Sequence, residues 1–188
     1  YMPILLSLVL ALLLSWYGGS AIKKHAPVFY AGAALLALTA IAVTWSGADA
    51  SFSGWMSNNV WPLLSHGAFA SALFIIVMYM GALPNGTKAI KRLMPIRAEL
   101  SIMASLLVLG HNIAYGRTYF VRLFTDTSKM STTQMLAAIC SLIMIAIMLP
   151  LMITSFKAVR KKMKPKSWKK LQRSAYIFSG LIYVHTML

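Results

Sequence analysis

Six apolar stretches divide this chain, running approximately over residues 2–18, 28–45, 60–83, 97–119, 133–156 and 168–188. A helix crosses the hydrocarbon layer of a bilayer with about 20 apolar residues, and shorter helices also span. Such stretches would overwhelm the surface of a water-soluble domain. Composition says the same: 59% of residues are hydrophobic and 11% charged, where soluble domains carry roughly a quarter charged. With no water to satisfy backbone groups inside a bilayer, a chain of this kind spans as helices. The expectation is an all-α membrane protein, a six-transmembrane-helix bundle forming one domain over residues 1–188. The leucine-rich first stretch lacks a basic flank and a cleavage site, so it reads as a retained helix rather than a signal peptide.

The net charge of +15 is sorted by loop. Lys23 and Lys24 lie in the first loop, and Lys88, Lys91, Arg92 and Arg97 in or beside the third. The fifth holds Lys157, Arg160, Lys161, Lys162, Lys164, Lys166, Lys169, Lys170 and Arg173. The second loop has no basic residue, and the fourth balances Arg117, Arg122 and Lys129 against Asp126. Short cytoplasmic loops collect Lys and Arg, which places the odd loops inside and both termini on the outer side of the membrane. The charge therefore calls for anionic lipid headgroups as its neighbour, not nucleic acid. Trp16, Tyr17, Trp45, Trp55, Trp61, Tyr115, Tyr119 and Trp168 fall at span ends, where interfacial aromatics belong. Pro62 opens the third span and Pro150 interrupts the fifth.

Polar groups at membrane depth are costly and mark function. Carboxylates are of little use here: Asp49 and Asp126 sit in outer loops, and Glu99 lies near the inner end of the fourth span. Paired-carboxylate catalysis, H-E-x-x-H metal chemistry and phosphate-cradling glycine loops are all absent from the sequence. A single cysteine, Cys140, within an apolar run excludes thiolate clusters and disulfides. Histidine remains. At a rise of about 1.5 Å per residue, His66 lies roughly 9 Å inward from the outer edge, and His111 the same. His185 lies about 18 Å beyond the inner Arg173, so all three occupy one layer in the outer half of the bilayer. A single buried histidine is often a hydrogen-bonding residue between helices. Three at one depth suit a planar haem held from both sides by imidazoles on facing helices. Gly67 beside His66, Gly110 beside His111, and Gly180 would leave space for a macrocycle.

The segment Thr154–Leu188, with its basic loop, Trp168, the frame L-Q-R-x-x-Y over 171–176, and His185, resembles the ferric-reductase-like transmembrane domain family. It is especially similar to the haem b membrane subunit of the bacterial methionine-sulfoxide reductase system. The fourth span, R-A-E-L-S-I-M-A-S-L-L-V-L-G-H from Arg97 to His111, is similar to the family's preceding ligand helix. The resemblance implies that His111 and His185 are the axial ligands of haem iron. Where the family's frame places the first histidine of the last-helix pair, this chain has Gln172, and Arg97 stands where two-haem relatives carry another histidine. One haem is thus the expectation, a second requiring an unusual ligand. Arg97 and Gln172 would face a flavin, a haem propionate or the headgroups. His66 stays open between a propionate contact, a quinone or flavin contact, and an axial role with His111.

The functional expectation is a membrane b-type cytochrome, the electron-transfer subunit of an oxidoreductase. Electrons would pass from an inner flavin, a docked flavoprotein or membrane quinol to an outer acceptor. No nicotinamide-binding pattern is visible, so reductase activity would need a redox partner protein or a diffusible flavin (FMN or FAD). Two competing readings are a non-haem membrane subunit whose histidines bond between helices, and a small transporter using His66 and Arg117.

Overall fold

The computed structural model describes residues 2–188, and helices are the only regular secondary structure among them. The helices are α1 (Met2–Tyr17), α2 (Gly19–Lys24), α3 (Ala26–Ser46), α4 (Trp61–Ser65), α5 (Ala68–Tyr79), α6 (Lys88–Leu93), α7 (Arg97–His111), α8 (Arg117–Thr125), α9 (Thr132–Ser155), α10 (Lys157–Arg160), α11 (Pro165–Gln172) and α12 (Ser174–Met187). They fall into two compact units, residues 1–114 and 115–188.

Three helical runs are long and apolar enough to cross a membrane: Ala26–Ser46, Lys88–Thr125 and Thr132–Ser155. A fourth is a bent pair, Met56–Ser65 with Ala68–Tyr79, joined at 53°. The remaining two of the six apolar stretches form shorter helices. The first ends at Tyr17 after 16 residues, about 24 Å of rise. The last is divided at Arg173, leaving 14 residues in α12.

In the first unit α7 packs against both α3 and α5, and α1 packs on α5. α7 buries Glu99, Leu100, Ile102, Met103, Ala104, Ser105, Leu107 and Gly110, more than one helical stripe, as befits a central helix. Its neighbours invert the soluble pattern. α1 buries Ser7, Ala11 and Ser15, and α3 buries Ala33, Ala37 and Ala40. Leu5, Leu35 and Leu38 are meanwhile 59%, 65% and 62% exposed. Small residues between helices with leucines turned outward is how helices pack in lipid, where leucine gains nothing by hiding from the surroundings. At the loop end, Arg92 stacks over Trp16 at 5.1 Å and donates to its carbonyl at 2.6 Å. Lys23 pairs with the buried Glu99 at 3.2 Å, tying α2 to α7.

In the second unit α9 packs against α8 and α12. α9 begins with a reciprocal cap: Ser131 accepts from the Gln134 amide, and Gln134 accepts from the Ser131 amide. Ser131→Ala should cost about 1 kcal/mol, read as a lower unfolding midpoint in detergent. Pro150 removes one ladder bond inside α9, and the Thr154 hydroxyl donates to the Pro150 carbonyl at 2.7 Å. Trp168 donates from its indole to the Thr154 carbonyl at 3.2 Å, while Arg160 covers its ring at 4.2 Å. The basic loop is thereby anchored to the end of α9.

Candidate functional site

The apolar stretch 60–83 is interrupted at its histidine. α4 ends at Ser65, and Gly67 takes a left-handed conformation with φ +67 before α5 starts. Glycine reaches that region without a steric penalty from Cβ. A carbonyl at the end of a helix loses the amide four residues on. The Ser65 carbonyl instead lies 2.5 Å from His111 Nδ1. Because a carbonyl can only accept, Nδ1 must carry the proton, which puts the lone pair of the neutral ring on Nε2. A Cβ built at Gly67 would lie 3.5 Å from His111 Cγ, so a side chain at this position would stand in van der Waals contact with the imidazole.

His111 is the last residue of α7, and a π-helical turn, Asn112–Gly116, follows at once. Such wide turns recur at functional sites. One residue before it, Gly110 lets α3 approach: a Cβ there would lie 2.6 Å from Ala37 Cβ and 2.8 Å from its Cα. Two glycines therefore shape the surroundings of His111, one by conformation and the other by the space it leaves.

His66 is exposed and His111 half-buried, both in the first unit. Arg97 donates from Nε to the Val77 carbonyl at 3.4 Å, a cation near the last turn of α5 where carbonyls are left over. In the second unit His185 is half-buried on α12, its Nδ1 3.4 Å from the Ser141 hydroxyl of α9. Cys140, one residue away, donates to the Leu181 carbonyl at 3.7 Å, the contact of a small packing residue. Gln172 Nε2 and Ser65 Oγ are buried without a hydrogen-bond partner, which in a native fold calls for an explanation. Among the described residues, no three His, Cys, Asp or Glu side chains converge on a point that could hold a metal ion.

The sequence pointed to His66, His111, His185, Arg97 and Gln172. It did not reveal the Ser65 carbonyl, a backbone group, or the close approach of Ala37 to Gly110. The Ser-His-Gly triplet within an apolar run was the visible trace of the break.

Outward leucines, small-residue contacts and repeated membrane-length helices define a multi-pass membrane protein with histidines inside its helical units. Residues 66–183 match the family described as ferric reductase like transmembrane component. The chain belongs to that family. It is also 44% identical over 164 residues to an uncharacterized protein of Treponema pallidum (strain Nichols). That alignment covers 87% of this chain and 45% of the relative, so the chain spans about half the relative's length. No solved structure matches.

Proposed function

We propose that this protein is a b-type cytochrome of a bacterial plasma membrane, with His111 and His185 as axial ligands of one haem. The observation that carries this reading is the hydrogen bond from His111 Nδ1 to the Ser65 carbonyl. Metal-ligating histidines characteristically give their second ring N–H to a backbone carbonyl or carboxylate, which presents the other nitrogen to the metal. The residues therefore fit the group that the family resemblance implies. His111 and His185 belong to different units, and their pairing rests on the residue-by-residue match to the family frame. Bound by two imidazoles, haem b supplies one-electron outer-sphere transfer with no open position for substrate.

The closeness of residue 67 to His111 argues against His66 and His111 as the axial pair. Two imidazoles on opposite faces of a macrocycle are separated by the iron and both rings. A Cβ at residue 67, next to His66, would already be in van der Waals contact with His111 Cγ. His66 is better suited to meet a propionate, quinone or flavin at the outer edge. Gln172, with its orphaned Nε2, suits an inner flavin or propionate. Arg97, half-buried and bonded to Val77, has further guanidinium donors for the same purpose.

The six apolar stretches are taken as six spans, with the short first and last helices inserted in a locally thinned bilayer, forming one domain with outer termini. The basic residues 157–173 lie inside, against anionic headgroups and a docking flavoprotein. Electrons come from that partner, a diffusible flavin or quinol and leave to an outer redox partner. The likeness of Thr154–Leu188 to the haem b subunit of the methionine-sulfoxide reductase system favours a periplasmic oxidoreductase as that partner. Extraction of purified full-length protein should yield haem b at about one per chain. Protein prepared with adequate haem supply that yields none would sink the reading.

A further inference from the structure

We propose that the break at Ser65–His66–Gly67 is a positioning device for the His111 imidazole, setting its tautomer, its angle and its donor strength. The inference rests on the haem reading above. Three observations converge on it. Gly67 at φ +67 ends α4, so the Ser65 carbonyl is turned out of the helix ladder. His111 Nδ1 lies 2.5 Å from that carbonyl. His111 also faces Gly67, its Cγ, Cδ2 and Cβ lying 3.5, 3.6 and 3.8 Å from where a Cβ would stand.

Together these contacts remove the two freedoms a histidine ligand has. Rotation about the Cβ–Cγ bond would break the Nδ1 bond to the Ser65 carbonyl. The tautomer with its proton on Nε2 would set the Nδ1 lone pair against a carbonyl oxygen. The remaining state offers Nε2 to the metal. Donation from Nδ1 also makes Nε2 more basic, which favours ferric over ferrous iron and lowers the midpoint potential. Ser65 and Gly67 are thus positioning residues, acting through His111. The bend in this span serves the same end, because a straight helix would keep the Ser65 carbonyl for its own ladder.

The test replaces the imidazole rather than the break. Full-length His111→Gly protein is purified with haem and titrated with imidazole or with 1-methylimidazole, the same ring with its distal N–H replaced by a methyl. Imidazole should restore the low-spin spectrum with roughly fivefold higher affinity, the scale of one hydrogen bond. It should also give a lower midpoint potential than 1-methylimidazole. Equal affinities with equal potentials would overturn the device and leave the haem reading standing. Wild-type protein without haem would instead overturn the haem reading itself.

If His111→Gly retains no haem, the comparison moves to Gly67→Asn and Gly67→Ala with His111 intact. Both add a Cβ, but asparagine tolerates the left-handed region and alanine strains it. Asparagine should keep the wild-type potential and alanine should raise it, with an altered low-spin spectrum. Wild-type potential and spectrum in both variants would overturn the proposal.

Discussion

His111→Ala should leave the protein folded and nearly without haem, an affinity loss greater than about a hundredfold. Removing an outer-shell partner of a metal ligand costs about 10–100-fold, and loss of the ligand itself should exceed that. His185→Ala should do the same, whereas His66→Ala should retain haem at close to one per chain. The measurement is haem per chain by extraction, on material that elutes as a single species with wild-type helical content. Haem retained after both single substitutions would move the ligand assignment elsewhere and leave the family membership untouched. The contrast with His66 matters because it lies on the break that contacts the His111 ring. A generalised packing defect would make all three variants lose haem together.

The second large effect lies one residue away. Gly110→Ala should be destabilising, although alanine favours a helix over glycine by about 1 kcal/mol. The new Cβ would lie 2.6 Å from Ala37 Cβ, 2.8 Å from Ala37 Cα and 3.2 Å from the Ala37 carbonyl oxygen. Two of those three atoms are backbone, so relief requires α3 and α7 to separate. Overpacking of this kind costs about 1–3 kcal/mol, and against the propensity gain of about 1 kcal/mol a backbone clash this close should leave a net loss of about 2 kcal/mol. Gly110→Leu should be worse and should also reduce haem content, since it displaces the turn that carries His111. Ala37→Gly in the Gly110→Ala background should restore part of the stability, a coupling expected only between touching residues. Unfolding in detergent, followed by loss of helical signal, reads all three. A Gly110→Ala protein as stable as wild type would show that α3 and α7 are looser than their close approach implies.

What the sequence made legible follows from which forces act locally. Apolar runs and the sorting of Lys and Arg are one-dimensional signals, and they suffice for a helical, multi-pass membrane protein. Ser131 and Gln134 set the start of α9 from within four residues. The histidines stood out because imidazoles are few and costly in an apolar run. The break at Gly67 was harder to foresee: Gly180, also in an apolar run, sits within α12, and only the histidine of the Ser-His-Gly triplet separates the two locally. The partner of His111 is a main-chain carbonyl, which no residue identity announces. Lys23 and Glu99 are 76 positions apart, and their pairing appears only once α2 lies beside α7. Glu99 lies in the first turn of α7, near the end of its apolar stretch, yet it is 2% exposed. Distance along a span and burial in the protein are separate quantities, and the chain reports only the first. The bounds of the short helices at 2–17 and 174–187 likewise carry no local signal in the sequence.

The central claim is that one haem is held by two imidazoles, one of them set by the Ser65 carbonyl. Low-temperature EPR of the air-oxidised, purified protein, with spins counted against chain concentration, tests it most directly. One low-spin ferric signal of the bis-imidazole type per chain, lost in His111→Ala and in His185→Ala, is the result predicted. High-spin ferric iron with an open axial position, or a low-spin signal that survives both substitutions, would contradict it.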